Sequence, residues 1–422
     1  MNPLLAAWLA AASSLSAAQA QVPSAPAATA QPGLTLSQAL DLAGATSPAL
    51  DAATAGVDAS RAAHTAAGLR PNPVVTLEAE NVAGTGSYSG TQSLEATSSV
   101  AIPLELGGKR SARLAVAGAQ RDRALIEQAM AAADLRWAVT RAYAEAVASE
   151  RRTGNARDQL RIAEEGLRAA DARVRAGRAS PMEVQRAALT RINAQAALAR
   201  AERSAEVARF TLAQRIGQAI PGPLDGSWFD RIDSIQGPLA PMDPAQTLAL
   251  AAADADLATS SAQVRLARSQ RIPDLTVGAG ARRLEATNDN AALFSLSLPL
   301  PLFNSGRAAV GQAMAEQRRA EARRRIAAQE VAQAIASAQA EAANAAIGAT
   351  TATGPALAAA EEAARIARIG YREGKFGQLD LLDAERTLTE TRAAAIAALL
   401  AYHDAQAQLE RLTARAPDQG DN

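Results

Sequence analysis

The side chains able to do chemistry are few. Cysteine is absent, and His64 and His403 are the only histidines, so neither a disulfide nor a Cys/His zinc site can be assembled. The two imidazoles are far apart in sequence without ligand-type neighbours, and they read as structural groups. No Ser/His/Asp set, nucleotide-binding loop or metal cluster occurs, so no enzyme is expected and no cofactor is implied. What remains is charge in patterned positions. Glu78, Glu80 and Glu95 alternate with apolar residues, and in a strand that alternation turns all carboxylates to one wet face. Asp380, Asp383 and Glu183 stand near helix starts, where the macrodipole favours acids. Two glycine turns carry basic rims: Arg175, Gly177 and Arg178 in one, Arg372, Gly374 and Lys375 in the other.

These turns belong to a larger repetition. Arg175-Ala176-Gly177-Arg178 through Glu183 matches Arg372-Glu373-Gly374-Lys375 through Asp380, and the offset from position 177 to position 374 is 197. Ile102-Pro103-Leu104 through Lys109 matches Leu300-Pro301-Leu302 through Arg307, where the offset from 108 to 306 is 198. Two landmarks at nearly one spacing indicate a tandem duplication of a large unit.

Composition narrows what that unit is. Basic and acidic residues number 43 each, so net charge offers nothing to a nucleic acid. Lys109 and Lys375 are the only lysines, and aromatics make up 3%. Abundant alanine suits long, closely packed helices. Residues 1–20 read as a secretory signal, with an apolar stretch from Leu4 to Ala12 and Ala18-Gln19-Ala20 as cleavage site. Residues 21–33, rich in Ala, Pro and Gln, form a flexible leader. No later apolar run is long enough for a transmembrane helix.

Each copy, 34–217 and 244–413, opens with a helix, the first ending near Gly68 and the second running from Pro244 to Arg268 with Asp243 as N-cap. A β-hairpin follows at about 73–103 and about 273–302. Val75, Leu77 and Ala79 alternate with Thr76, Glu78 and Glu80; Phe294, Leu296, Leu298 and Leu300 alternate with Ser295 and Ser297. Such alternation over about ten residues suits a transmembrane strand between lipid and a wet lumen. Long helical hairpins at 107–217 and 306–413 come next. A rod of roughly 66 residues spans about 100 Å. Gly354-Pro355 should kink the second rod, with Gly154 the matching place in the first. The return helix has heptad rows, Leu381, Leu388, Ala395, Tyr402 and Leu409 beside Ala384, Thr391, Ala398, Ala405 and Leu412. Residues 218–243, with Trp228 and Phe229, form an equatorial connector on the outside of the rods, and 414–422 a tail.

Four strands cannot close a membrane barrel, whose usual minimum is about eight, and open sheet edges are not tolerated in lipid. Chains must share one barrel. Two copies give eight strands and a filled interior; three give twelve, a lumen, and six helical hairpins around a pseudo-sixfold tube.

At this point the chain resembles the TolC-like family of outer-membrane efflux ducts. The resemblance runs from Leu34-Thr35-Leu36-Ser37-Gln38-Ala39-Leu40 to Leu412, through Leu69-Arg70-Pro71-Asn72-Pro73, the Gly108 and Gly306 turns, and Tyr371-Arg372-Glu373-Gly374 with Asp380-Leu381-Leu382-Asp383-Ala384. It is most like the branch serving heavy-metal and other cation exporters of the resistance-nodulation-division type. The resemblance implies a mainly α fold with a small β part: a trimeric α-helical periplasmic barrel continuous with a shared twelve-stranded transmembrane β-barrel. It also implies the outer membrane of a Gram-negative bacterium, contact with its lipid, a periplasmic adaptor protein and an inner-membrane pump. Asp380 and Asp383 match the aspartates that ring the periplasmic aperture in that family, with Glu183 the acid of the first copy. Arg175, Gly177, Arg178, Arg372, Gly374 and Lys375 match its adaptor-contacting tips. Glu78, Glu80 and Glu95 would face the lumen. Many relatives carry a lipid on an N-terminal cysteine, which this chain lacks. Multidrug efflux or type I secretion of proteins is the alternative cargo, and a periplasmic adaptor or soluble coiled-coil scaffold is the alternative of another kind.

Overall fold

A computed structural model describes residues 33–220, 222–232 and 244–417. The signal peptide, the leader to residue 32, Asp243, part of the connector and the end of the tail lie outside the described residues.

The chain is mostly helix with one small sheet. Two helices, α1 (Leu36–Thr46) and α2 (Pro48–Ala67), precede strands β1 (Val74–Glu80) and β2 (Glu95–Leu104). Two long helices follow, α3 (Lys109–Arg175) and α4 (Pro181–Ile216). The second half holds α5 (Leu248–Ser269), β3 (Leu275–Leu284), β4 (Asp289–Ser297), α6 (Arg307–Thr351), α7 (Leu357–Arg372) and α8 (Gln378–Leu412). At 1.5 Å per residue the 67 residues of α3 make a rod about 100 Å long. No helix among the described residues is long and apolar enough to cross a membrane.

Several helix boundaries differ from the sequence reading, each for a local reason. The opening helix is broken between α1 and α2, because Pro48 has no N–H to continue the ladder and the Ser47 hydroxyl accepts from Leu50 N at 3.4 Å to start a new helix. In the second half α5 begins at Leu248, not Pro244; Thr247 is its N-cap and accepts from Leu250 N at 3.4 Å. Pro355 sits in a π-helical stretch, Ala352–Ala356, that joins α6 to α7. The wider turn accommodates a residue that cannot donate. Gly154 leaves α3 uninterrupted. Strand β4 ends at Ser297, before Leu298 and Leu300.

The four strands form one antiparallel sheet in the order β1-β2-β3-β4, with β1 and β4 at its edges. Register assigns the faces: Glu80 pairs with Glu95, Glu95 with Leu284, and Val277 with Leu296. One face presents Val75, Leu77, Val100, Ile102, Val277, Phe294 and Leu296. The other presents Thr76, Glu78, Glu80, Glu95, Thr97, Ser99, Arg282, Ser295 and Ser297. Leu77 is 79% and Phe294 84% exposed in the single chain.

The largest core lies at mid-length, where Val139, Tyr143, Leu212, Phe229 and Tyr402 are buried together. Phe229 is fully buried, so this part of the connector inserts into the core and does not merely lie outside the rods; an aromatic of this size gains about 1.5–3 kcal/mol by leaving water. The Tyr143 hydroxyl stands 2.7 Å from the carbonyl oxygens of Leu34 and Asp225, tying the first described residues to the connector. Burial, with the Asp225 carboxylate, pushes its phenol well above the usual range. His403 is buried beside Phe229, Nε2 2.9 Å from Phe229 O and its ring 4.0 Å from that of Trp228. Elsewhere the helices touch through small residues, among them Ala187, Ala194 and Ala205 on α4.

Candidate functional site

The two glycine turns have one geometry. Gly177 at φ +68° and Gly374 at φ +74° occupy the left-handed region, where an added Cβ costs about 1–2 kcal/mol. The following residue donates its N–H back into the helix, Arg178 to Arg173 O at 2.9 Å and Lys375 to Gly370 O at 2.8 Å, the pattern that caps exposed C-terminal carbonyls. The return helices start differently. Ser180 accepts from Met182 N at 3.3 Å ahead of α4, whereas the Asp380 carboxylate accepts from Gly377 N at 2.9 Å ahead of α8.

The three acids therefore have distinct surroundings. Asp380 is exposed and bonded to its own helix start. Asp383 is 71% exposed and paired with Arg386 at 3.2 Å. Glu183 is partly buried; its Oε2 lies 3.9 Å from Arg173 and has no hydrogen-bond partner. The Arg173 guanidinium also stacks 4.9 Å from the Tyr371 ring centroid, so a cation–π contact joins α3 to α7 where the turns approach. Arg175 is paired with Asp171 of its own helix. Arg178, Arg372 and Lys375 are exposed. Sequence reasoning singled out the glycines and acids but missed Arg173 as the group connecting the two turns. Its signal would have been a base one turn before Gly177 and an aromatic one turn before Gly374.

At the other end of the rods, β2 passes into α3 through Gly107 and Gly108, both at positive φ. Here Glu105 is paired with Arg113, and Lys109 with Asp274 at 2.7 Å. Arg110 Nε donates to Gly68 O at 2.6 Å and Arg113 to Leu69 O at 3.2 Å, covering carbonyls at the end of α2. The Arg113 hydrogen bond holds the Glu105 carboxyl below the usual carboxylate range against the opposing effect of burial. Asp274 is lowered too: burial alone would raise it, but hydrogen bonds from Lys109 and the Leu106 N–H prevail.

On the polar face of the sheet, Glu78, Glu80 and Glu95 lie on the same side. Glu80 and Glu95 are not isolated. Arg282, which sequence reasoning left out, reaches Glu80 at 3.2 Å and Glu95 at 2.7 Å, while its Nε donates to Thr97 Oγ1 at 3.0 Å. Among the described residues no group of three metal-ligating side chains is gathered. The site is a patterned surface, suited to passing solutes along it.

Comparison with known proteins agrees with this architecture. A family model described as outer membrane efflux protein matches residues 39–218 and 245–415. The cobalt-zinc-cadmium resistance protein CzcC of Cupriavidus metallidurans is 30% identical over 384 residues, 90% of each chain. The nickel and cobalt resistance protein CnrC of the same organism is 32% identical over 293 residues, 68% of each chain. The open state of the Neisseria gonorrhoeae MtrE outer membrane channel superposes with a TM-score of 0.75 at 22% identity, covering 90% of this chain and 89% of that one. A membrane protein from Pseudomonas aeruginosa superposes with a TM-score of 0.76 at 21% identity, over 92% and 91%.

Proposed function

This chain belongs to the outer membrane efflux protein family, and from that premise we propose that three copies build one continuous duct for heavy-metal cations. The observation that carries the assembly is the sheet: four strands, both edges unpaired, one face apolar and the other polar. Unpaired backbone groups in hydrocarbon cost several kcal/mol each, so β1 of one copy must find β4 of the next. Twelve strands leave a water-filled lumen lined by the polar face. The order helix, hairpin, long helix, return helix occurs in both halves of the chain, which supports an internal duplication and six helical hairpins around the tube.

The metal cargo is supported by the relatives named for cobalt, zinc, cadmium and nickel resistance. In this reading the glycine turns, with Arg175, Arg178, Arg372 and Lys375 exposed around Gly177 and Gly374, contact a periplasmic adaptor, and an inner-membrane pump supplies the cations. Asp380, Asp383 and Glu183 ring the periplasmic aperture, where acids attract cations and repel one another when ionised. The N-terminal export signal completes the route to the outer membrane. The test is a deletion strain challenged with zinc, cobalt, cadmium, nickel, copper and a drug panel, beside electrophoresis of outer-membrane fractions with and without heating. Heat-modifiable trimers and hypersensitivity to metals alone are expected. Sensitivity confined to drugs would reassign the cargo; a protein found wholly in the periplasmic wash would end the duct reading.

A further inference from the structure

We propose that Arg282 sets the ionic selectivity of the duct's loop-side mouth. The assignment rests on the reading of the polar face as the lumen wall and adds a specific residue to it. On that face Thr76, Ser99, Thr276, Gly278, Ser295 and Ser297 are small and uncharged nearer the rods, with Leu293 beside Gly280 and Val74 at the start of β1. The charged side chains of that face are gathered at the end of the strands that carries the β1–β2 and β3–β4 connections: Glu78, Glu80, Glu95, Asp289 and Arg282. This band projects furthest from the wall, so it meets a passing ion most closely.

Arg282 is the only base among the described strand residues on that face, and Arg283 faces the opposite way. Its guanidinium spans two strands, bonding Glu95 and Thr97 on β2 and Glu80 on β1. Glu80 and Glu95 are thereby offset by one positive charge that a passing ion also feels. Removing it leaves Glu78, Glu80, Glu95 and Asp289 of each copy unopposed. The lumen then becomes more cation-selective there than the intact band, in which four acids face one base. The scale is set by one positive charge lost per copy in a watery lumen, screened over about 10 Å at ~0.1 M salt.

The experiment measures reversal potentials of purified full-length trimers in planar bilayers under a KCl gradient. Arg282→Gln should raise the cation-to-anion permeability ratio by roughly two- to fivefold at ~0.1 M salt, with the effect fading near 1 M as the screening length falls to about 3 Å. Because the chain has no cysteine, Arg282→Cys offers a unique thiol. Reaction with a cationic methanethiosulfonate should restore the original ratio, and an anionic one should push it further from it. Arg282→Lys, which keeps the charge but loses the fork, should hold the original ratio. Glu80→Gln with Glu95→Gln should shift it toward anions, which covers the case in which Arg282→Gln does not assemble. Assembled variants whose ratio ignores the sign of the group at this position would reduce Arg282 to a brace between strands and overturn the proposal. Absence of any pore from the unaltered protein would instead overturn the duct reading and this assignment with it.

Discussion

At the scale of single residues, what a charge touches decides what it can do. Asp380 bonds Gly377 N, so replacing it by alanine would confound a role in the aperture with the loss of a helix cap. Asparagine keeps an acceptor oxygen and removes the charge. Asp380→Asn with Asp383→Asn is therefore expected to raise single-channel conductance while leaving the thermal midpoint within a few degrees; unchanged conductance would remove both acids from the aperture. Glu105 at the strand-to-rod junction gives a pH prediction. Arg113 lowers its pKa from the ordinary 4.5, so the folded value lies below the unfolded one. The contribution is then fully present above about pH 4.5 and is lost as pH falls through the folded value. The midpoint of Glu105→Gln should lie below that of the original protein at neutral pH, and the gap should close on acidification. A gap independent of pH would mean that the carboxylate's charge contributes nothing there.

At the scale of elements, local periodicity was legible and long-range placement was not. Leu388, Ala395 and Tyr402 of the heptad row are buried, because a heptad is a property of neighbouring turns and needs no knowledge of the partner. The strands were legible for the same reason, from a period of two. The halt between Thr46 and Pro48 was readable too, since serine before proline is a helix start, yet the apolar stripe running through it masked the signal. Arg282 escaped because its partners come from strands almost two hundred positions earlier. Phe229 escaped because nothing in a Pro/Gly-rich segment reveals that it dives into a core. The glycine turns show what was legible in full, type and geometry together. Gly374→Ala is accordingly expected to cost about 1–2 kcal/mol through its left-handed backbone, read as a lowered thermal midpoint. The exposed neighbour Lys375→Ala should leave the midpoint unchanged. Equal midpoints for both variants would mean that the turn relaxes to another conformation.

For the whole molecule, a single chain is visibly incomplete. Helix α4 buries Ala187, Ala194, Ala208 and Leu212, yet exposes Met182, Leu189, Ile192, Val207 and Phe210, with Phe210 63% open to solvent. A helix apolar on two sides needs two partners, and α3 supplies only one. In a closed ring of three the contact is head-to-tail, so the stripe must meet a different surface on its neighbour. The exposed Met314, Ile326, Ile347, Ile366 and Ile369 of α6 and α7 offer such a surface. Each buried phenylalanine contributes about 1.5–3 kcal/mol, and symmetry counts it three times per assembly. A glutamate in its place would lose that contribution and bring an unpaired carboxylate into the contact. Phe210→Glu should therefore leave helix content unchanged by circular dichroism while light scattering in detergent shows monomers in place of trimers. Phe210→Leu, which keeps the apolar surface, should trimerise. If the glutamate variant still forms trimers, copies meet elsewhere, and the stripe on α4 faces something other than a sibling chain.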